Sequence, residues 1–130
     1  MRICVDDVNN GVDDGVWTDD FYGCTFKVAA ITSTKFQRVL NRLNTPFRRK
    51  LEKGNMDPAD SKRILCTAMA KALLLDWKGV VDADDKPVSY NEELGTKLLM
   101  NNDLVRDFIQ DFSADLDNFY VEAQSDNVKN

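Results

Sequence analysis

Histidine is absent from the 130 residues. That removes the side chain that most readily moves protons at neutral pH and the commonest nitrogen ligand for metals. Ser-His, Cys-His and histidine-zinc mechanisms are therefore excluded within this chain. Cysteine is scarce and odd in number: Cys4, Cys24 and Cys66 have no short paired spacing. Neither a disulfide framework nor a thiolate metal site follows from them, and a reducing compartment fits best. Long apolar runs are missing as well. The greasiest stretch, Ala68 to Leu75, contains Lys71 and is far too short to span a bilayer. Asp6 and Asp7 interrupt the start before a signal-peptide core can form. No Walker-type phosphate loop or dinucleotide fingerprint occurs. These absences predict a non-enzymatic protein without a cofactor, neither exported by an obvious signal nor inserted in a membrane.

What is present fits one domain with a real hydrophobic core. The net charge of -5 is unevenly placed. Residues 1–33 carry two bases and six acids, residues 34–63 nine bases and three acids, and residues 64–130 six bases and thirteen acids. A basic segment thus lies between two acidic ones, either as a recognition surface or as charges answered inside the fold.

Hydrophobic periodicity predicts a mainly α fold: a small helical domain of four to five helices with a short N-terminal β-hairpin. The acidic segment 1–33 holds that hairpin, with strands over Trp17 to Tyr22 and Cys24 to Ala30 meeting at Tyr22-Gly23. Since a lone hairpin is marginal, Trp17, Phe21 or Phe26 must rest on the helices or on a second copy. The helical domain spans 34–122, and 123–130 is a polar, frayed tail. Phe36, Val39, Leu40 and Leu43 form the first helical stripe, capped by Ser33 or Thr34. Pro46 ends or kinks that helix, and Phe47 and Leu51 resume the spacing. Asp57-Pro58 starts a central helix predicted to run to about Trp77. Ser89 with Glu92 has capping-box spacing for the next helix. A last helical region begins near Asn102 or Asp103, with Leu104, Val105, Phe108, Ile109 and Phe112 followed by Leu116, Phe119, Tyr120 and Val121.

The sharpest local feature is Phe47-Arg48-Arg49-Lys50, with Arg38, Arg42 and Lys53 nearby. Guanidinium groups fork onto carboxylates or phosphates, and helices can gather several on one face. The plain alternative is a solvated face or pairing with the acidic thirds of the chain. Nucleic-acid binding ranks behind protein binding because the pI of about 4.7 and the acidic flanks oppose phosphate. Asp82, Asp84 and Asp85 invite a calcium reading, but position 6 of the loop would be Pro87 instead of glycine, so a solvated turn is expected. Cys66 reads as a buried structural thiol, and the aromatics Trp77, Phe108, Phe112, Phe119 and Tyr120 as core or as a partner-binding edge.

Phe36 to Leu43, Asn44-Thr45-Pro46-Phe47-Arg48-Arg49, Ala70 to Leu75 and Asp76-Trp77-Lys78-Gly79-Val80-Val81-Asp82 carry a resemblance. Together with Asp85-Lys86-Pro87-Val88-Ser89-Tyr90, Asn91-Glu92-Glu93, Leu98-Leu99 and Asn102 to Phe108, they resemble the tail assembly chaperones of long-tailed bacteriophages, over roughly residues 26–120. Asp84-Asp85 stands where that family commonly has an acid-glycine turn, and the acidic N-terminus has no counterpart in it. The resemblance implies an assembly factor that binds the tape-measure protein and recruits tail-tube subunits without ATP. It also implies a longer frameshifted form of the same chain, and action in the host cytoplasm with absence from the mature virion. Self-association is expected, because several copies of a small scaffold cover an elongated client efficiently. Chemistry and the shared segments together nominate Arg38, Arg42, Arg48, Arg49 and Trp77 as partner-binding residues. A structural virion component, such as a connector or tail-completion subunit, and a nucleic-acid-binding regulator are the competing readings.

Overall fold

The computed structural model describes residues 4–6 and 10–119; the expected continuation through Tyr120 and Val121 and the tail 123–130 lie outside the described residues. The fold is mainly α with a small sheet. Helix α1 (Asn10–Asp14) leads to β1 (Val16–Trp17), which pairs antiparallel with β2 (Thr25–Val28). Between them Phe21 and Cys24 exchange both backbone hydrogen bonds, at 2.7 and 3.0 Å, around Tyr22 and Gly23. Both turn residues have positive φ, 53° and 85°. This is the two-residue hairpin loop whose twist matches that of its strands. The turn falls where expected, but the strands are shorter. At Thr18 the ladder is carried partly by a side chain, with the Phe26 N–H donating to Thr18 Oγ1 at 3.1 Å. The hairpin rests on the helices through Phe21, whose ring stacks on Phe108 at 4.2 Å.

Helix α2 (Thr34–Asn44) buries Phe36 and Val39. Ser33 sits at its N-cap without a side-chain capping bond, and its buried Oγ has no hydrogen-bond partner. Asp13 of α1 performs the cap instead, its Oδ1 accepting from the Thr34 N–H at 3.2 Å. The Pro46 ambiguity resolves as a tight 3-10 turn (Thr45–Phe47) that passes directly into the single-turn helix α3 (Arg48–Glu52). Asp57 caps α4 (Pro58–Ala68) as expected, its Oδ1 accepting from the Ala59 N–H at 2.9 Å.

The predicted helix from Pro58 to Trp77 is overturned. Helix α4 stops at Ala68, a π-helical turn covers Met69–Leu73, and β3 (Leu74–Lys78) follows without a break. Strand β3 joins the other edge of β2, pairing Phe26 with Trp77 and Val28 with Leu74, which makes a three-stranded antiparallel sheet in the order β1-β2-β3. Local composition favours helix through Leu75, but β2 offers unpaired backbone groups, and pairing them outweighs helix propensity of a few tenths of a kcal/mol per residue. Carbonyls released where the helix ends are taken up elsewhere: Leu73 O accepts from the Ala29 N–H at 2.8 Å, and Ala70 O accepts a short hydrogen bond from the Tyr90 hydroxyl.

The Ser89–Glu92 capping box is also overturned. Asn91, an equally strong cap residue, holds the N-cap of α5 (Glu92–Asn101) and accepts from the Leu94 N–H at 2.8 Å. Asn102 then caps α6 (Asp103–Ala114), and a 3-10 turn (Leu116–Phe119) buries Phe119. The α5–α6 corner is fastened by Arg106, which donates to Leu99 O at 2.8 Å and to Asp103 Oδ1 at 2.6 Å. Its guanidinium holds the Asp103 carboxyl below the usual carboxylate range. The core gathers Phe26, Phe36, Met69, Leu73, Leu99 and Ile109 between sheet and helices, and Cys66 is buried there as expected. Among the described residues, no helix is long and apolar enough to cross a membrane.

Two predictions follow from these contacts. Asp13→Ala lowers stability by about 1 kcal/mol, whereas Ser33→Ala stays within about 0.5 kcal/mol of wild type, because the cap has moved to Asp13 and the serine hydroxyl is unsatisfied. Urea unfolding of the two variants checks this reversal of the usual N-cap result. Burial pushes the Tyr90 hydroxyl far above its ordinary value, with Glu92 and Asp76 adding to the shift. The folded state therefore holds a proton that the unfolded chain releases above about pH 10, so this group's stabilisation is full below that pH and lost as pH rises beyond it. Tyr90→Phe removes that part of the alkaline loss and costs about 1–2 kcal/mol at neutral pH by leaving Ala70 O unpartnered. Unfolding curves at neutral pH and at about pH 11 read both effects.

Candidate functional site

Among the described residues, three ion pairs form, Arg63–Asp60, Lys71–Glu92 and Arg106–Asp103. None involves the basic segment that the sequence singles out. Arg38 and Arg42 stand one helical turn apart on the exposed side of α2, and Arg48, Arg49 and Lys50 are exposed on α3. The corner between the two helices forms a shallow hollow lined by Asn41, Asn44, Thr45, Arg48 and Leu51. Helix α3 packs chiefly on the turn that precedes it, and all five of its residues are exposed, with Leu51 at 44%. The exposed side of α2 and the whole of α3 thus form a basic arm whose side chains enter no ion pair among the described residues, although α2 itself packs on α4.

Trp77 is placed apart from the four arginines. It lies on β3 at 5% exposure, its Nε1 donates to Val88 O at 2.9 Å, and its ring meets Tyr90 edge-on at 4.9 Å. Such an indole braces the core and offers little surface to a partner, since burial leaves only an edge beneath a hollow shared with Leu94 and Leu98. Trp77 thus lies on a strand whose buried residues are Leu74 and Trp77, not on the helix that composition predicts there.

A second feature was not foreseen. Between the hairpin tip, the Gly79–Val81 segment and the start of α6 lies an apolar groove of about 460 Å³. Phe26, Val105 and Leu98 line it, and three large apolar side chains stand exposed around it: Tyr22 at 83%, Leu104 at 65% and Val81 at 47%. Gly79 (φ 88°) brings two backbones together on its floor, because a Cβ there would collide with the Gly23 carbonyl. Cys24 also lines the groove; burial and then the nearby charge of Asp20 push its thiol pKa up. One signal for the groove was available in the sequence: adjacent Leu104 and Val105 at a helix start cannot both face inward.

The Asp82–Asp85 cluster works as a turn. Asp82 Oδ1 accepts from the N–H groups of Asp84 at 2.8 Å and Lys86 at 3.0 Å, and Asp85 takes a positive φ of 62°. Asp85 there takes the left-handed conformation that glycine favours. Among the described residues, no group of three or more histidine, cysteine, aspartate or glutamate side chains is placed to hold a metal ion.

A family model described as YdaY prophage protein matches residues 31–130. The chain belongs to that family. It is therefore phage-derived, and the matched stretch of the YdaY family contains the basic arm, α4 to α6, and the Val81 and Leu104 walls of the groove. The hairpin wall with Tyr22 precedes the match. No curated protein and no solved structure matches the chain.

Tyr22 is a bulky residue in a left-handed conformation with most of its ring in solvent, an arrangement that local stability does not favour. Tyr22→Asn should raise stability by about 0.5–1 kcal/mol, since asparagine suits this turn position better. Gly79→Ala should lower it by about 2 kcal/mol or more through positive φ and the backbone collision together. Thermal melts of both variants measure the opposite signs.

Proposed function

We propose that this prophage protein is a tail assembly chaperone, which binds the tape-measure protein and helps recruit tail-tube subunits without catalysis. The observation that carries the reading is the basic arm: Arg38, Arg42, Arg48 and Arg49 stand exposed and enter no ion pair among the described residues, on a phage-derived chain. The resemblance of residues 26–120 to tail chaperones supplies the client, and the arm supplies a physical means of selecting it. Charges at a rim set on-rate and partner choice, and apolar surface sets the holding strength. Binding of this kind is reversible, as befits a factor that acts in the host cytoplasm and leaves before the virion is complete.

The test is affinity capture from lysate containing the tail proteins. Wild-type chain should retain the tape-measure protein, while the double variant Arg48→Glu, Arg49→Glu should retain at least about tenfold less with an unchanged circular dichroism spectrum. Equal capture by the double variant removes the arm from the client contact. Mass spectrometry of purified particles separates this role from that of a connector subunit, since stoichiometric retention in mature virions contradicts an assembly-only factor.

A further inference from the structure

The basic arm has few acids of its own to answer it. Residues 34–63 carry nine bases and three acids; of those acids, Asp60 pairs with Arg63 and Asp57 caps α4, which leaves the exposed Glu52. Lys35, Arg38 and Arg42 recur at spacings of three and four along the solvent side of α2, opposite the buried Phe36 and Val39. Successive cations therefore stand about 4.5 and about 6 Å apart along the helix axis. Carboxylates at the same spacing on a helix laid alongside meet them in step. Where α2 turns into α3, the hollow of about 350 Å³ between Asn41, Asn44, Thr45, Arg48 and Leu51 combines amide groups, a guanidinium and an apolar side chain that is 44% exposed. Such a lining suits a carboxylate with an aliphatic neighbour. A nucleic acid fits it less well, because among the described residues of the arm Phe36 is buried and Phe47 half-buried, so no exposed ring is offered for base stacking. A long polyanion running past the arm also meets the acidic remainder of the chain.

We infer that the exposed face of α2 and the hollow at its junction with α3 bind an acidic amphipathic helix of the client. Its carboxylates lie in step with Lys35, Arg38 and Arg42, Arg48 forks onto a further carboxylate at the hollow, and one aliphatic side chain packs beside Leu51. At about 0.1 M salt, charges more than about 10 Å away are largely screened. The arm therefore attracts a segment lying against it although the chain as a whole is negative. Exposed ion pairs each add little, so several in register and an apolar contact are needed together, and the complex is weak enough to release. That the helix belongs to the tape-measure protein rests on the tail-chaperone reading; its acidity and spacing rest on the arm alone.

Fluorescence anisotropy of the purified full chain with a labelled peptide tests the inference. The probe is an alanine-based helix of about twenty residues, with glutamates at spacings of three and four on one face and a leucine beside them. Wild-type chain should bind it with a Kd on the order of ten micromolar at about 50 mM salt, and at least about tenfold more weakly at about 500 mM. Arg38→Glu with Arg42→Glu, and separately Arg48→Glu with Arg49→Glu, should each weaken binding at least about tenfold with an unchanged circular dichroism spectrum, and Leu51→Ala about threefold. Lys86→Glu with Lys97→Glu makes the same change in net charge at exposed positions outside the arm, and should stay within about twofold of wild type. A wild-type chain that does not bind at low salt overturns the inference. So does a Lys86, Lys97 variant that loses as much as the arm variants, or equal binding of a peptide with the same composition but its glutamates spread around the helix. A DNA duplex of about 20 base pairs that displaces the peptide at lower concentration overturns it as well. Peptide binding without tape-measure capture instead counts against the chaperone reading alone, and arm-dependent capture without peptide binding against the acidic helix alone.

Discussion

The switch from helix to strand at Ala68–Leu74 determines how everything else is arranged. An α-helix extended to Trp77 would leave one edge of β2 bare and carry Trp77 away from the sheet. The π turn over Met69–Leu73 ends the helix while keeping Met69, Ala70, Ala72 and Leu73 buried, and it delivers Leu74 and Trp77 to β2 in register. Ending a helix inside a core strands its last carbonyls, and an unpartnered buried carbonyl costs about 1–3 kcal/mol. The Ala29 amide and the Tyr90 hydroxyl meet two of them. Tyr90 can reach Ala70 only because α5 has a glycine beside its ring: a Cβ on Gly95 would sit 2.6 Å from Tyr90 Cε1. Residues from three separate parts of the chain therefore cooperate at one turn.

That cooperation explains what the sequence made legible. Periodicity located α2, α5 and α6, and the Asp57-Pro58 pair located the start of α4, because each is a local signal. The Tyr22-Gly23 turn was legible for the same reason. The end of α4 was not, since Ala68 to Leu75 is composed of good helix formers and the reason to leave the helix lies some fifty residues earlier, in β2. Caps failed in the same manner. Asp13 displaced Ser33 at α2 from twenty-one residues away, and Asn91 displaced Ser89 once the preceding chain was committed to the Tyr90 contact. Within the candidate site the exposed arginines were readable as a charge run, while the groove needed the sheet that the sequence concealed.

Segregated charge is the second constraint. Exposed ion pairs add about 0–1 kcal/mol each, so folding supplies little force to answer the arm's cations with the acids of α6. Core packing instead decides where each helix lies, and it places the basic α2 against α4 and the acidic α6 against α5 and β2. Opposite charges are consequently distributed over different surfaces of one small body.

Strain marks the hairpin tip. Tyr22 and Asp85 are the non-glycine residues with positive φ among those described, the first at the hairpin tip and the second in the turn closed by the Val81–Pro87 bridge. At Asp85 the geometry is eased by the short acidic side chain and by the Asp82 cap, so the turn explains itself. Tyr22 has no comparable relief, as its ring makes an edge contact with Phe21 at 4.7 Å and is otherwise in water. A turn that needed only to reverse the chain would be more stable with asparagine there.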